Sequence, residues 1–347
     1  MILIIGAGLS GLVTAYRLKQ QGIPFKILEA RSRIGGRIFT TYGNDNCPTE
    51  MGATWFNSVH RELRQLLEEL GINYFEQFMT GTAFYQADRN SPAQAIEIPT
   101  QDPSFRIAGG TSALINALYS QLDAADILLD QVVTKIEFLV NSVNVIAKEV
   151  FHAQKVVLAI PPKLWAQKID FQPILPAEIV SVAKETHTWM EDSIKVALRY
   201  EKAFWQEQGQ SGALFSNAGP ITEFYDHSNF ERNTFSLCGF MSTSFKDLSD
   251  PDRKEAVLNQ LENVFGAKAL QFIDYQECIW SKEQYTFEPS ETLLFPHQNN
   301  GHPILRKNFF EQRLFLSSAE SANQYPGYMD GAVSAGNRVA QDIISSR

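Results

Sequence analysis

Cysteine is scarce in this 347-residue chain, which has only Cys47, Cys238 and Cys278. Because the three are far apart and odd in number, they argue against a disulfide framework or a zinc site and favour a reducing compartment. The six histidines lack a metal-ligand spacing such as HExxH, and the chain contains no GxSxG elbow and no phosphate-binding P-loop. No apolar run reaches membrane-spanning length. Disulfide-stapled, zinc-dependent and serine-hydrolase classes are therefore disfavoured.

Positive charge is also in deficit. Lys and Arg number 30 against 39 Asp and Glu, and the net charge of −9 disfavours a broad nucleic-acid or anionic-membrane surface. The share of apolar residues, 44%, is typical of a globular protein, and the length predicts two domains. Because the first strand begins at Met1, we expect no signal peptide and a cytoplasmic location. The composition predicts no oligomeric state.

The amino-terminal residues carry the strongest pattern. An apolar run over residues 1–5 is followed at once by Gly6-Ala7-Gly8-Leu9-Ser10-Gly11, then a helical pattern, a second strand over residues 24–28, and Glu29. This order is that of the dinucleotide-binding βαβ unit, in which the glycines permit a tight turn, backbone approach to a pyrophosphate and close helix packing. The helix N-terminus favours phosphates, and Glu29 is placed to accept hydrogen bonds from a ribose.

A second glycine motif follows directly after Ala30. It reads Arg31-Ser32-Arg33-Ile34-Gly35-Gly36-Arg37. Two adjacent glycines suit another backbone approach to an anionic cofactor, and Arg37 can contact a phosphate in bidentate fashion. We assign the basic cluster of Arg31, Arg33 and Arg37 to cofactor phosphates. The motif resembles the RxGGR motif of a large group of FAD oxidoreductases, which implies FAD rather than NAD.

Two further stretches of small residues suit close contact with a flat ligand. Gly52-Ala53-Thr54-Trp55 would let backbone lie against such a ligand, and the alternative is a simple turn before a helix. The closing helix predicted over residues 330–344 carries glycine, alanine and serine near its start, so its N-terminus is a second candidate binding site. The alternative for this helix is tight packing on a sheet.

Strand patterns occupy much of the remaining chain. Strand-like runs over residues 127–129, 132–140, 143–148 and 155–160 predict antiparallel strands inserted into the nucleotide-binding domain. Residues 193–200 alternate cleanly, with Lys195 on the face opposite Ile194 and Val196. From this pattern alone, Lys195 would be a solvated lysine on an exposed strand face.

With these motifs in place, the chain resembles the flavin-containing amine oxidases, the monoamine oxidase family, over residues 1 to about 72 and 105 to 347. Further matching motifs are Gly109-Gly110, Leu129-x-x-x-Val133-x-x-Ile136, Ile160-Pro161-Pro162, Ile194-Lys195, Phe204-Trp205, Trp280 and Pro326-Gly327-Tyr328-Met329-Asp330-Gly331-Ala332.

The resemblance implies an α/β fold of two domains. A discontinuous, Rossmann-like FAD-binding domain would comprise residues 1–72, 105–184 and 284–347. A smaller α+β substrate domain with a mixed sheet would comprise residues 73–104 and 185–283.

The resemblance also implies residue roles. Val133 would meet adenine through its backbone, Glu320 the ribityl-pyrophosphate region, and Met329 the isoalloxazine edge. Lys195, Trp280 and Tyr328 would lie at the reaction centre, with Lys195 near flavin N5 through a water. The complete cofactor-binding set implied by the matching motifs is Gly6, Gly8, Leu9, Ser10, Gly11, Glu29, Ala30, Arg31, Gly35, Gly36, Arg37, Gly52, Ala53, Thr54, Trp55, Val133, Glu320, Tyr328, Met329 and Ala332.

Some positions depart from the family pattern. The stretch Glu288-Pro289-Ser290-Glu291 lacks the cysteine that holds flavin covalently in some members, so we predict non-covalent FAD. It also lacks the first tyrosine of an aromatic pair, of which only Tyr328 remains, and the run ending in Glu320 lacks a glycine. The chain is shorter than its relatives, with the loss between residues 73 and 105, which predicts an open pocket for a bulky amine.

The sequence therefore predicts an FAD-dependent oxidoreductase that oxidises an amine C–N bond by hydride transfer to flavin N5. Hydrolysis of the imine and reoxidation of the flavin by dioxygen would follow. Two alternatives stay open from the residues. One is a flavin-dependent C–C desaturase or protoporphyrinogen-oxidase-like enzyme, and the other is a non-catalytic flavin-binding protein.

Overall fold

The structure is a computed structural model that describes residues 1–43, 47–88, 91–98, 102–290 and 293–346. Glu291 and parts of the shortened 73–105 segment lie outside these ranges. The predictions of non-covalent FAD and of an open pocket rest partly on them. No helix within the described ranges is both long and apolar enough to cross a bilayer.

The α-helices of the described residues are α1 (Leu9–Gln20), α2 (Arg61–Glu69), α3 (Ser112–Ser120), α4 (Pro162–Lys168), α5 (Ala177–Lys184), α6 (Phe204–Glu207), α7 (Asp250–Phe265) and α8 (Met329–Ser345).

The strands of the described residues are β1 (Ile2–Ile5), β2 (Phe25–Leu28), β3 (Thr40–Tyr42), β4 (Pro48–Glu50), β5 (Phe56–Asn57), β6 (Tyr74–Glu76), β7 (Thr82–Gln86), β8 (Gln94–Ile96), β9 (Ser104–Ile107), β10 (Ile127–Leu128), β11 (Lys135–Phe138), β12 (Val143–Ile146), β13 (Val150–Ala153), β14 (Lys155–Leu158), β15 (Asp170–Gln172), β16 (Ile194–Tyr200), β17 (Gln210–Ser216), β18 (Ile221–Asp226), β19 (Phe235–Met241), β20 (Phe272–Ile279) and β21 (Leu314–Leu316).

A five-stranded parallel sheet lies at the centre of the nucleotide-binding unit, in the order β10-β2-β1-β14-β21. Every residue of β1 is buried, as expected for a parallel strand covered on both faces. Ile4 packs with Leu12 of α1 on one side, whereas Leu3 packs with Leu158 on the other. The parallel arrangement brings the carboxyl ends of β1 and β2 to one edge, where the glycine turn and Glu29 lie.

The predicted set of antiparallel inserted strands is partly wrong. The strands β10 and β14 instead join the central sheet in parallel. Antiparallel pairing holds for β11, β12 and β13, which form a four-stranded sheet with β15. Residues 156–158 are all fully buried, and this continuous apolar run belongs to a strand covered on both faces rather than to an alternating one.

A second, seven-stranded sheet has the order β20-β16-β19-β18-β17-β7-β8. It is mixed, because β17 and β7 pair in parallel while the other neighbours are antiparallel. Its strands come from residues 82–96 and 194–279, which fall within the ranges predicted for the substrate domain. The chain thus has the predicted α/β fold with a Rossmann-like sheet, and the domain boundaries stay a prediction.

The strand β16 runs through the interior of this mixed sheet. Its Val196 and Leu198 face a core with Val257 and Leu261 of α7. On the opposite face, Ala197 packs against Met51, which follows β4. Both faces are therefore covered, and the alternative of a solvent-exposed Lys195 is wrong, since its exposed fraction is 0%.

Candidate active site

The glycine turn after β1 has little room for any side chain except at one position. A Cβ on Gly11 would lie 2.1 Å from the carbonyl oxygen of Gly6, and Gly6 itself has a φ of +103°. At Gly8, in contrast, a Cβ would meet nothing within 4 Å, so the backbone there is open to a ligand. No side chain caps the start of α1 at Leu9, which leaves its N–H groups available to phosphate oxygens.

A cavity of about 480 Å³ extends from this turn along the molecule. Of the predicted site residues, those that line it are Gly6, Gly8, Leu9, Ser10, Glu29, Ala30, Arg31, Gly35, Gly36, Arg37, Gly52, Ala53, Thr54, Trp55, Val133, Trp280, Tyr328, Met329 and Ala332. Gly11, Lys195 and Glu320 lie behind its wall. The open backbone at Gly8, the uncapped helix and the elongated cavity fit an extended dinucleotide such as FAD.

Glu29 lies at the carboxyl end of β2 and is 4% exposed. Its carboxylate accepts hydrogen bonds from the backbone N–H of Ala7, at 2.7 Å, and of Arg31, at 2.9 Å. A carboxylate has about four acceptor sites, so these two bonds leave capacity for ribose hydroxyls. Glu29 therefore both holds the turn and faces the cavity.

Arg37 and Glu320 form a bidentate ion pair in which the Arg37 side chain is 20% exposed. The guanidinium donates to the two carboxylate oxygens at 2.6 and 3.2 Å, and the Glu320 side chain is fully buried. Arg37 also donates to the carbonyl oxygen of Trp189 at 3.1 Å. Glu320 thus contacts Arg37 rather than the cavity, so any effect on a cofactor would pass through the guanidinium.

The other two arginines of the basic cluster also contact protein groups. Arg31 donates to Thr286 Oγ1 at 2.7 Å and to Glu283 at 3.2 Å. Arg33 donates to the carbonyl oxygen of Gly36 and lies 4.3 Å from the ring centre of Phe39, outside the cavity lining. The assignment of these arginines to phosphates stays a prediction, with Arg31 and Arg37 the two that face the cavity.

Lys195 lies behind the wall at the other end of the cavity. Its Nζ donates to Thr54 Oγ1 at 2.9 Å, and it lies 4.3 and 4.6 Å from the ring centres of Trp55 and Phe240. Thr54, Trp55 and Phe240 all line the cavity. A single layer of side chains therefore separates Lys195 Nζ from the cavity. Within that layer, Thr54 is hydrogen-bonded to Lys195 and lines the cavity.

Several aromatic side chains surround Tyr328 at this end of the cavity. The Tyr328 ring lies 5.4 Å from that of Trp189 and is nearly parallel to that of His297. His60 packs 5.5 Å away on another side. Burial lowers the pKa of His60, although the nearby Asp330 carboxylate acts in the opposite direction. Trp280 donates to the carbonyl oxygen of Met51 at 2.7 Å, which fixes its ring in the wall.

Several residues that line the cavity carry no motif by which the sequence alone could indicate them. Phe240 lies directly opposite Lys195 across β16 and β19, a relation that only the strand pairing shows. Trp189 and Met190 follow α5 in an irregular segment that carries no recognisable motif. The cavity wall also includes Asn57 and residues 284–286. The Trp280 motif indicated that this part of the chain lies near the cofactor, but it did not indicate that residues 284–286 contact the cavity.

One group of possible metal ligands lies among the described residues. It consists of His187, Glu191 and Asp192, whose ligand atoms lie within 4.8 Å of one another. The Nζ of Lys163 already pairs with Glu191 at 2.6 Å. Because this ammonium neutralises the most buried carboxylate of the group, the arrangement does not point to a metal site.

Comparison with known proteins identifies the family. Residues 9–104 and 99–344 match the family described as "Flavin containing amine oxidoreductase". The probable flavin-containing monoamine oxidase A of Dictyostelium discoideum is 22% identical over 453 aligned positions, which cover 99% of this chain and 97% of that protein.

Two solved structures share the fold. Putrescine oxidase bound to putrescine has a TM-score of 0.86 at 22% identity, and the match covers 99% of this chain and 98% of that one. Cyclohexylamine oxidase from Brevibacterium oxydans IH-35A also has a TM-score of 0.86, at 20% identity, with the same coverage. The glycine turn, the elongated cavity and these matches together show that the chain belongs to the family of flavin-containing amine oxidoreductases, FAD-dependent enzymes that oxidise amines.

Proposed function

We propose that the protein is an amine oxidase that uses dioxygen as its oxidant and accepts amines with bulky substituents. One observation supports it most: a single cavity has the glycine turn and Glu29 at one end, and Trp280, Tyr328 and the Thr54–Lys195 hydrogen bond at the other. A nucleotide cofactor and an amine could therefore meet within one cavity.

Residues at one end of the cavity would bind the cofactor, and residues at the other end would bind the amine. The N-terminus of α1 and Gly8 would bind the pyrophosphate, and Glu29 the ribose. When bound, FAD supplies a hydride acceptor. The rings of Trp189 and Tyr328 would exclude water and orient an unprotonated amine, whose lone pair assists loss of a hydride from the adjacent carbon.

Lys195 would act on a water molecule at the reaction centre. An ammonium group has three N–H donors, and Thr54 Oγ1 occupies one of them in the structure. A second could hold a water on the cavity side of Thr54, close to the reacting atoms. This role for Lys195, like those of Trp280 and Tyr328, is part of the proposal.

The alternative enzyme classes have less support. The comparisons name amine oxidases, and neither a desaturase nor a protoporphyrinogen-oxidase-like enzyme is favoured by a specific feature of the cavity. A cytoplasmic location also stays a prediction, which rests on the small, odd number of widely spaced cysteines.

We expect anaerobic addition of amines to bleach the oxidised flavin absorbance, with bulky secondary amines reducing it faster than benzylamine. The alignment with the Dictyostelium relative spans 453 positions, whereas this chain has 347 residues. The missing residues would leave a wider mouth to the cavity. Stopped-flow absorbance with a panel of amines of increasing size, followed by admission of air, measures both half-reactions.

A cyclic alkene and a porphyrinogen serve as controls in the same panel. Bleaching by these alone would support the desaturase class instead, and bleaching by nothing would support a flavin-binding protein without catalysis. If benzylamine proved far faster than every bulky amine, the wide pocket would be refuted while amine oxidation stood.

We expect acid precipitation to release all yellow colour into the supernatant, because FAD is held without a covalent bond. None of the three cysteines lines the cavity, and Cys47 and Cys238 are buried elsewhere. Burial raises the pKa of the Cys278 thiol to about 12, which disfavours the nucleophilic thiolate. Absorbance of the pellet and the supernatant gives the result, and colour retained in the pellet would contradict it.

A further inference from the structure

Residues 283–289 form a strap along one wall of the cavity. Gln284, Tyr285 and Thr286 of this strap line the same cavity as Gly8 of the glycine turn. The strap begins after a short helical turn that ends at Lys282, and it contains no helix or strand. No ladder of backbone hydrogen bonds therefore ties it to a sheet, and side-chain contacts must hold it in place.

Arg31 holds the first half of the strap. Its guanidinium donates to Thr286 Oγ1 at 2.7 Å, to Glu283 at 3.2 Å and to the carbonyl oxygen of Tyr285 at 3.3 Å. The Tyr285 ring lies 5.7 Å from the guanidinium carbon. Thr286 is only 3% exposed, so its hydroxyl is shielded from competing water. These contacts join the loop after Glu29 to the strap.

Helix α4 holds the second half. Lys168 pairs with Glu288 at 3.0 Å, and Gln167 donates to the carbonyl oxygen of Pro289 at 3.3 Å. The Lys168 side chain is 54% exposed, so this ion pair is the weaker attachment. The strap is thus fastened at both ends to the nucleotide-binding unit, and its residues 284–286 form part of the cavity wall.

We propose that the strap gates the cofactor cavity, and that Arg31 is the positioning residue that keeps it closed. A dinucleotide bound along the glycine turn would lie under residues 284–286 and could enter or leave only when the Arg31 contacts open. The inference rests on the proposed FAD site, but not on which amine is oxidised. It also gives Arg31 a different task from the phosphate contact that its position in the motif implies.

Thr286→Val tests this gate, since it keeps the shape of the side chain and removes the hydroxyl that accepts from Arg31. If the strap must open before FAD can enter or leave, weakening its closed state raises both the association rate and the dissociation rate of FAD. The Kd for FAD then stays nearly unchanged. We expect FAD association and dissociation each to rise about fivefold, with less than a twofold change in Kd. Thr286→Ser, which keeps the hydroxyl, should restore the parent rates.

The rates follow from flavin fluorescence. FAD release is measured after dilution of the holoenzyme, and rebinding is measured after the stripped protein is mixed with FAD. Glu137→Gln is the control, because it weakens the Lys135–Glu137 ion pair on the four-stranded sheet, and neither residue lines the cavity. This control should leave both rates unchanged.

Each outcome decides the proposal. Faster release with unchanged association would mean that Thr286 stabilises bound FAD directly, and the gate would be wrong. Rates within twofold of the parent would also overturn it. A parent protein that bound no FAD at all would instead refute the proposed cofactor site, so the two failures are distinguishable.

Discussion

Replacing Arg37 by leucine is expected to lower the free energy of unfolding of the FAD-free protein by about 3 kcal/mol. The substitution removes both hydrogen bonds to Glu320, whose side chain has an exposed fraction of 0%. A buried carboxylate left without its partner must be desolvated, protonated or exposed by local unfolding, and each of these costs free energy. Urea denaturation followed by tryptophan fluorescence measures the change.

The pair Arg17–Glu69 provides the matched control. It is also bidentate, at 2.6 and 2.8 Å, but its side chains are 24% and 34% exposed. Arg17→Leu should therefore cost no more than about 1 kcal/mol.

The double variant Arg37→Leu/Glu320→Gln should be more stable than Arg37→Leu alone, because the second change removes the unpaired charge. A loss for Arg37→Leu as small as that of the control would mean that Glu320 gains another partner or water. The Arg37–Glu320 ion pair would then contribute little to the stability of the fold, contrary to this expectation.

Replacing Lys195 by methionine is expected to slow flavin reduction by amine, or flavin reoxidation by dioxygen, at least tenfold while FAD stays bound. A tenfold change corresponds to about 1.4 kcal/mol of barrier. Methionine keeps the length of the side chain and its contacts with the rings of Trp55 and Phe240, but it removes the donor to Thr54. Any water held by the ammonium near the reacting atoms would be lost with it.

Stopped-flow measurement of the two half-reactions separates the steps. Lys254→Met is the control, because Lys254 also lies over two rings, those of Phe272 and Tyr275, at 5.0 and 5.3 Å. It lies on α7, outside the cavity lining. If both rates of Lys195→Met stayed within twofold of the parent, Lys195 would be a structural residue only.

The order of residues was sufficient to predict the cofactor end of the site. Turn, helix and strand are adjacent in sequence there, so Gly6, Gly8 and Glu29 meet through local geometry that the spacing already encodes. Gly11 illustrates why the pattern is specific: the backbone oxygen of Gly6 occupies the space that any Cβ at this position would need. Such close backbone contacts restrict the residue type, and therefore they are readable in a single sequence.

The substrate end depends on contacts between segments that are distant in the chain. The alternation around Lys195 predicted two strand faces, but only the packing of Met51 against Ala197 shows that the second face is covered. Phe240 reaches Lys195 through strand pairing across more than forty residues, and Arg31 reaches Thr286 across more than two hundred.

The order of residues alone therefore indicated the family, the nucleotide-binding turn and strand β16 with its two faces. The packing of distant segments fixes which side chains are buried, which strands run parallel and where the strap lies. The physical reason is that periodicity reports the local backbone geometry and the apolar face of an element. Burial and pairing depend instead on which distant element covers that face, and a local pattern contains no information about that partner.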